Sequence, residues 1–500
     1  MQPIQVDLLV IGGGISGAGI ALEAVRRGVK VLLVEREDFA AGASSRSSKL
    51  VHGGLRYLKQ GAVHLTWESV RERDQLLRDA PGLVEPLPFL MAHRAGERTG
   101  PGVVQAGLAV YDLLAGRRTR AYADPAETAW RVPGLAAERG ASLYEDATTD
   151  DARLTLRVLQ EARLLGAELR NRTQVVELRR DAQGQVAGAL LRGPDGVQQA
   201  VVCRCVIAAA GAYLGPLAQQ LGLAAPRLRP LRGSHLLLPL WRLPLACAVA
   251  WAHPRDGRPV FAYPWQGALL VGTTDLDHPD LSVAPSLQPE EQAYLLGALN
   301  HAFPRAGLAA ADVRSSWAGV RPVVAQDGAD AVDPSQESRE HLVLADRGLV
   351  ALSGGKLTTF RRMAREALAR ARPWLPLLGP ETGATILPRP APERGLSLRL
   401  QGRFGALARS VQAAGAERLG GTQTLIGEVR HSLQHEQVHH LDDLLLRRTR
   451  LGLLERDFGA ALWPALQPHC QEFLGWDAVR FHQEVARYQA VMAAQHGVIR

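Results

Sequence analysis

The sequence predicts an α/β fold in three parts: a parallel sheet wound from discontinuous segments, a mainly antiparallel-sheet region, and a helical C-terminal part. Three observations carry this. Residues 6–35 read as strand, Gly-rich turn, helix and second parallel strand: VDLLVI, GGGISGAGIALEAVRRG, VKVLLVE. Further along, the apolar period changes from helical to alternating, first at 167–209 and again at about 230–345. Beyond the Pro-rich 386-ILPRPAPERG-395 the chain turns helical to its end.

Each element has its own signal. In the first unit Ile15, Ala18, Ala21, Leu22 and Val25 recur at helical spacing, and Gly28 suits a helix C-terminus. A helix is expected over 65–79 and another over 150–165, where Asp150 or Asp151 is the natural N-cap. AELRNRTQVVELRRD, GQVAGALLRG and QQAVVCRCVIAA read as a three-stranded meander with turns at 181–184 and 194–196. GSHLLLPL, PVFAYPW, ALLVGTTD and HLVLAD are strands, interrupted by a helix at 289–302. At 348–372 the chain reads strand, Gly-Gly, helix. The expected division is 1–75, 150–230 and 345–375 for the parallel-sheet domain, 76–149 and 231–344 for a cap over it, and 390–500 for the helical domain.

Composition bounds the function. Five hundred residues suffice for about three domains, with no metal or disulfide needed as a staple. Cys203, Cys205, Cys247 and Cys470 lack CxxC spacing, so a reducing, cytoplasmic setting is expected, with no structural zinc. MQPIQVD has neither the basic flank nor the apolar core of a signal peptide. The most apolar run, 236–252, is interrupted by Pro239, Arg242 and Pro244 and is too short to span a bilayer. The net charge of +8 suits an anionic membrane surface or a phosphorylated substrate. Aromatic residues make up only 5%, and no stripe interleaves them with basic ones, so nucleic-acid binding is not expected. Of only four lysines, Lys49 and Lys356 sit inside Gly- and Ser/Thr-rich motifs, where arginine's planar fork cannot replace a compact ammonium.

Gly12, Gly14 and Gly17 form G-x-G-x-x-G between strand and helix, a Rossmann-like fingerprint. The first glycine permits the turn, the second the approach of a pyrophosphate, the third close helix–strand packing. Ile15 and Ser16 then present the helix N-terminus to the phosphates. Glu35, with Arg36 beside it, ends the second strand where a carboxylate accepts from ribose hydroxyls. A nicotinamide enzyme would continue βαβαβ. Here a Ser-rich loop follows instead, and a second Gly-opened helix N-terminus stands near 355. Two such termini fit the extended FAD, the second facing the ring edge that becomes anionic on reduction.

That Ser-rich stretch, 44-SSRSSKLVHGGLRYLKQG-61, crosses where the flavin would lie. With 11-IGGGISGAGIA-21, 150-DDARLTL-156, 231-LRGSHLLLP-239, 263-YPWQGALLVGTTD-275, 317-WAGVRP-322, 353-SGGKLTTFR-361 and 441-LDDLLLRRTRLGL-453, it resembles the FAD-dependent glycerol-3-phosphate dehydrogenases over essentially the whole chain. The resemblance implies a glutathione-reductase/D-amino-acid-oxidase-like FAD domain. It implies flavin contacts from Ser47, Ser48, Lys49, Leu50, His52, Gly53 and Gly54, from Val175 and Gly211, and from Gly355, Lys356, Leu357 and Thr358. It also implies that Arg56, Tyr57, His235, Arg321, Arg339, Lys356 and Thr358 surround glycerol 3-phosphate, with His235, Arg56, Arg321 and Lys356 in catalysis. His235 is then the general base and His52 its rival. The acceptor implied is a quinone, with peripheral association at the inner membrane face and room for a homodimer. A same-fold amine or amino-acid oxidase is the alternative, needing one arginine for a carboxylate rather than several cations. The family's aromatic residue after the Gly turn near 213 is replaced by AAAGAYLG, where Tyr213 stands. His431, His435 and His439, spaced i, i+4, i+8, are expected on one solvated helix face rather than around a metal.

Overall fold

The structure, a computed structural model, describes residues 2–59, 61–97, 99–222, 226–325, 341–383 and 385–499. Arg339 lies outside the described residues, and Arg56 is described by its backbone alone.

The βαβ unit forms as expected: Leu8–Ile11 and Val31–Val34 pair in parallel around the helix Ile15–Val25. They sit in a six-stranded sheet ordered His341–Asp346, Leu349–Gly354, Cys205–Ala208, Leu8–Ile11, Val31–Val34, Glu168–Arg170. All neighbours are parallel except the first pair, a hairpin closed by Arg347 and Gly348, both with positive φ. HLVLAD therefore edges the parallel sheet and not the antiparallel one. The tight turn commits it to the strand that follows.

The expected meander is also split. Gln174–Arg180, Val186–Arg192 and Gln198–Val202 are antiparallel in a small sheet completed by Ile4–Gln5. Glu168–Arg170 and Cys205–Ala208, read as continuations of its strands, belong to the parallel sheet. The breaks fall at buried Asn171, whose amide reaches Asp38 (2.9 Å), and at Arg204.

One face of the parallel sheet is covered by Ile15–Val25, Asp151–Leu164 and Phe360–Ala371. The last shows why: Phe360, Met363, Ala364, Ala367, Leu368 and Ala371 form one buried stripe at helical spacing. Asp150 is the N-cap of the middle helix, accepting from Arg153 N–H at 3.1 Å.

A ten-stranded sheet holds Leu228–Pro239, Ala248–Ala252, Pro259–Trp265, Ala268–Gly272 and Ser315–Val324 together with Val84–Ala92 and Ala141–Thr149. Its last strand, Leu50–Val51, lies within the Ser-rich stretch and pairs with Thr148 and Ala147. That stretch is thus the crossing between the two large sheets. The helix Pro289–Ala302 packs on one face of the ten-stranded sheet and the C-terminal helices on the other.

The helical part, from Leu398 to Gln495, is tied to the rest by buried ion pairs. Asp38 accepts from Arg447 and from Arg448 (2.6 and 2.7 Å), and Asp150 from Arg403 (3.1 Å) and Arg450 (2.9 Å). Glu436 takes both amino groups of Arg153, at 2.5 and 3.1 Å. That recruitment, with the positive φ of Gln437, ends the helix Ile426–His435. His439 therefore leaves the helix face expected for it. His431 is buried against Phe404 rather than solvated, and burial pushes its pKa down to about 4.

Although burial alone raises it, the neighbouring guanidinium of Arg153 draws the Glu436 pKa down to about 2. A depressed carboxylate contributes stability that is complete above its unfolded pKa, about 4.5, and is lost as pH falls toward 2. Arg153→Met strands Glu436 and is expected to cost about 3–5 kcal/mol at pH 7. Urea titrations should show the deficit shrinking between pH 4.5 and 2.

Candidate functional site

A cavity of about 2630 Å³ runs from the Gly-rich turn past the Ser-rich crossing and under the ten-stranded sheet. At its first end the glycines have measurable reasons. Gly12 has φ 117°, and a Cβ there would lie 2.5 Å from the Ala209 carbonyl oxygen. Gly17 lies behind the cavity wall, where a Cβ would overlap the carbonyl of Gly12. Gly14, Ile15 and Ser16 open the helix onto the cavity, and Ile15 N–H donates to Ser44 Oγ at 2.9 Å. Glu35 ends its strand with one carboxylate oxygen accepting from Gly13 N–H and the other from Glu37 N–H, both at 2.8 Å. Burial raises its pKa against those two bonds. Each oxygen keeps a second lone pair for a ribose hydroxyl. Arg36 lies 4.6 Å over the Tyr213 ring, and Val175 and Gly211 complete this end.

In the middle the crossing loop contributes Ser47, Ser48, Leu50 and His52 to the lining. Lys49 does not join them. Its backbone is left-handed (φ 54°), and its fully buried ammonium turns away to Asp151 (2.9 Å) and Ser45 O (2.9 Å). Desolvation lowers its pKa to about 8, opposed by that carboxylate. The ammonium expected to face the flavin is here an internal strut between Asp151 and Ser45. Gly53 and Gly54 stand behind the lining as well. Gly53 N–H donates to Asp146 (2.9 Å), and a side chain on Gly53 would strike Tyr111.

Opposite the crossing, Gly354 and Gly355 take φ of 82° and 76°, and Lys356, Leu357 and Thr358 line the cavity. The α-helix begins only at Phe360, after a 3-10 turn over Leu357–Thr359, so one tighter turn separates the glycines from the expected helix. Lys356 Nζ lies 4.1 Å over the Tyr57 ring, and Thr358 Oγ1 donates to His52 O at 3.4 Å.

The far end holds His235 and Arg321, on the paired strands Leu228–Pro239 and Ser315–Val324. Arg321 donates to Asp275 (2.7 Å) and Thr273 Oγ1 (3.2 Å). Gly233 makes room for its guanidinium, since a Cβ there would overlap it. His235 stacks on Trp317, centroids 5.2 Å apart and planes at 14°, with Nε2 2.9 Å from Ser48 Oγ. Burial, then the charges of Arg321 and Lys49, push its pKa well below the usual imidazole value. A neutral imidazole is a proton acceptor. Residues the sequence reading left out are Ser44, Arg46, Tyr213, Asp275 and Arg447, all lining the cavity. Tyr213 alone had a signal, its place after the Gly turn.

The glycine cradle, the ribose-facing carboxylate and a cavity of this length fit FAD. The family model described as FAD dependent oxidoreductase matches residues 7–361, and the one described as the C-terminal domain of alpha-glycerophosphate oxidase matches 351–481. The chain belongs to the FAD-dependent oxidoreductases, and FAD is its cofactor. Within them it is a member of the glycerol-3-phosphate dehydrogenases. It is 39% identical to the aerobic glycerol-3-phosphate dehydrogenase of Staphylococcus saprophyticus over 72% of this chain and 66% of that relative. The Bacillus subtilis enzyme of the same name is 38% identical over 73% and 66%. The chain therefore matches about two thirds of the length of these relatives. Among solved structures, the Bacillus halodurans glycerol-3-phosphate dehydrogenase complexed with FAD superposes with a TM-score of 0.78 at 28% identity, covering 98% of this chain and 95% of the other. Glycine oxidase from Geobacillus kaustophilus and L-amino acid deaminase from Proteus vulgaris superpose at 20% and 16% identity, a likeness of fold alone. No described helix is long and apolar enough to cross a membrane.

Proposed function

We propose that this chain oxidises sn-glycerol 3-phosphate to dihydroxyacetone phosphate. The observation that carries this is the convergence of His235, Arg321, Lys356, Tyr57 and Thr358 on the same cavity as the nucleotide-binding glycines. FAD, held by the Gly-rich turn and the Ser-rich crossing, would supply the two-electron oxidant for the C2 hydrogen. The protein's part is to hold the substrate and take the remaining proton. Arg321 supplies a fork for the phosphate and Lys356 a compact ammonium, and charge-assisted bonds of this kind contribute about 1.5–3 kcal/mol each. Arg56, at the start of the helix Leu55–Lys59, and Arg339 are assigned to the same phosphate by the family resemblance. Neutral His235 takes the hydroxyl proton, a contribution of about 10²–10⁴ in rate.

The acceptor is a quinone. Supporting it, the cavity lining includes the apolar side chains of Phe89, Met91, Val104 and Phe261. The helix Pro101–Ala115, whose Val103 and Val104 line that cavity, exposes Val103 (68%) and Leu113 (79%) and is followed by exposed Arg118, features suited to anionic lipid. Anaerobic mixing tests the whole reading. Glycerol 3-phosphate should bleach the yellow flavin band and glycine should not. A short-chain quinone should then restore it, faster when the enzyme is on anionic vesicles. No bleaching by glycerol 3-phosphate sinks the assignment.

A further inference from the structure

His235 is enclosed. Its ring lies between Trp317 and Gly272, where a Cβ would overlap Cδ2, and the residue is 1% exposed. Nε2 is engaged by Ser48 Oγ at 2.9 Å, and Nδ1 is buried with no hydrogen-bond partner. Ser48 is half-buried and lines the cavity. The ring borders the cavity, and its Nε2 is joined to it by this hydroxyl.

We propose that Ser48 relays the proton: the C2 hydroxyl hands its proton to Ser48 Oγ while the Ser48 proton passes to Nε2 of His235. This rests on the function proposed above. A hydroxyl both donates and accepts, so it can do this without net change. In the step the O–H bond of C2 breaks, its electron pair closes the C2=O bond, and the C2 hydrogen leaves with its pair to the oxidant already named. Ser48 ends as it began, and His235 ends as imidazolium, which returns the proton to solvent. The tautomer required carries its hydrogen on Nδ1 and leaves Nε2 as acceptor.

The surroundings hold Ser48 to this position. Its carbonyl accepts from Tyr263 OH, and that of Ser47 from Trp317 Nε1 at 3.1 Å. Asp151 accepts from Ser47 N–H (2.9 Å) and Ser47 Oγ (2.7 Å), from Lys49 and from Arg450. Lys49, whose ammonium lies 4.6 Å over the other ring of the stack, Trp317, fixes the left-handed turn that sends its own side chain one way and Ser48 the other. An unfavourable backbone held by several contacts marks a place where geometry is being enforced. Arg321, one cause of the weak basicity of His235, is the charge a substrate phosphate neutralises. Binding thus strengthens the base when it is needed.

The test compares wild type, Ser48→Ala, His235→Gln and the double variant as FAD-loaded enzymes in the anaerobic half-reaction. Saturated with added FAD, Ser48→Ala should bind substrate within about threefold, while bleaching slows about 10²–10³-fold, within the range for a lost proton-transfer group. The double variant should be no slower than His235→Gln, and the bowed proton inventory of wild type should become linear in Ser48→Ala. Nitrogen NMR of histidine-labelled protein, assigned through His235→Gln, should find the Nδ1–H tautomer. Multiplying losses, an unchanged bleaching rate in Ser48→Ala, a loss confined to substrate affinity, or an Nε2–H tautomer each overturns the relay. If wild type itself is not bleached, the failure belongs to the proposed function instead.

Discussion

Arg321→Ala should keep its yellow colour and lose its grip on substrate. The guanidinium reaches the cavity from the strand Ser315–Val324, held by Asp275 at 2.7 Å and Thr273 at 3.2 Å. It touches none of the glycines that cradle the nucleotide, so FAD affinity should be unchanged. Loss of a charge-assisted phosphate contact of about 1.5–3 kcal/mol corresponds to roughly a 10–150-fold rise in substrate Kd, read from the concentration dependence of flavin bleaching. Arg321→Lys keeps the charge but not the fork, and should recover part of the loss. The pH profile gives an independent sign. Arg321 is one of the charges depressing the His235 pKa, so its removal raises that pKa toward the ordinary imidazole value. A base must be unprotonated, hence the acid limb of the bleaching rate should move to higher pH. An unchanged Kd would remove Arg321 from the phosphate role.

Why some of this was legible in the sequence and some was not follows from the distance over which each residue's role is decided. Gly12, Gly14, Gly17 and Glu35 lie within one strand–turn–helix–strand, so spacing alone could place them together. The Phe360–Ala371 helix announced itself by its apolar stripe, and the Gly354–Gly355 turn by its composition. Lys49 looked like a cofactor donor because its neighbours Ser47, Ser48 and Leu50 line the cavity. Its partner Asp151 is 102 residues away, and only the fold brings the two to 2.9 Å. The HLVLAD strand was assigned to the wrong sheet because strand identity is local, while sheet membership depends on the turn at Arg347 and Gly348. The histidine face at 431–439 failed for a similar reason: Glu436 leaves the helix to meet Arg153, a partner 283 residues distant. His235 could be picked out, but not its enclosure, which needs Trp317 and Gly272 in register on two neighbouring strands.

Gly17→Ala is expected to be severely damaging. A Cβ at this position would overlap the Gly12 carbonyl oxygen and lie 3.1 Å from its carbon. Both atoms are backbone, so no side chain can rotate aside. Relief requires the helix to move off the strand Leu8–Ile11, and overpacking of this kind costs about 1–3 kcal/mol. The displaced backbone is the turn proposed to meet the pyrophosphate, so FAD binding should suffer more than the fold. The variant should purify pale or colourless, with FAD affinity down at least about 100-fold, the equivalent of ~2.7 kcal/mol. Gly19→Ala, two residues on in the same helix, is the control. Its Cβ would meet Phe360 Cδ2 at 2.7 Å, a side chain on a separate helix, and the helix propensity gained from Gly to Ala, about 1 kcal/mol, offsets part of the strain. It should lose some thermal stability or none, and stay yellow. Flavin titration of the two proteins separates the cases: if both bind FAD as wild type does, the turn is not the cradle. If both lose it together, general loosening of the helix, rather than the Gly12 backbone, is responsible.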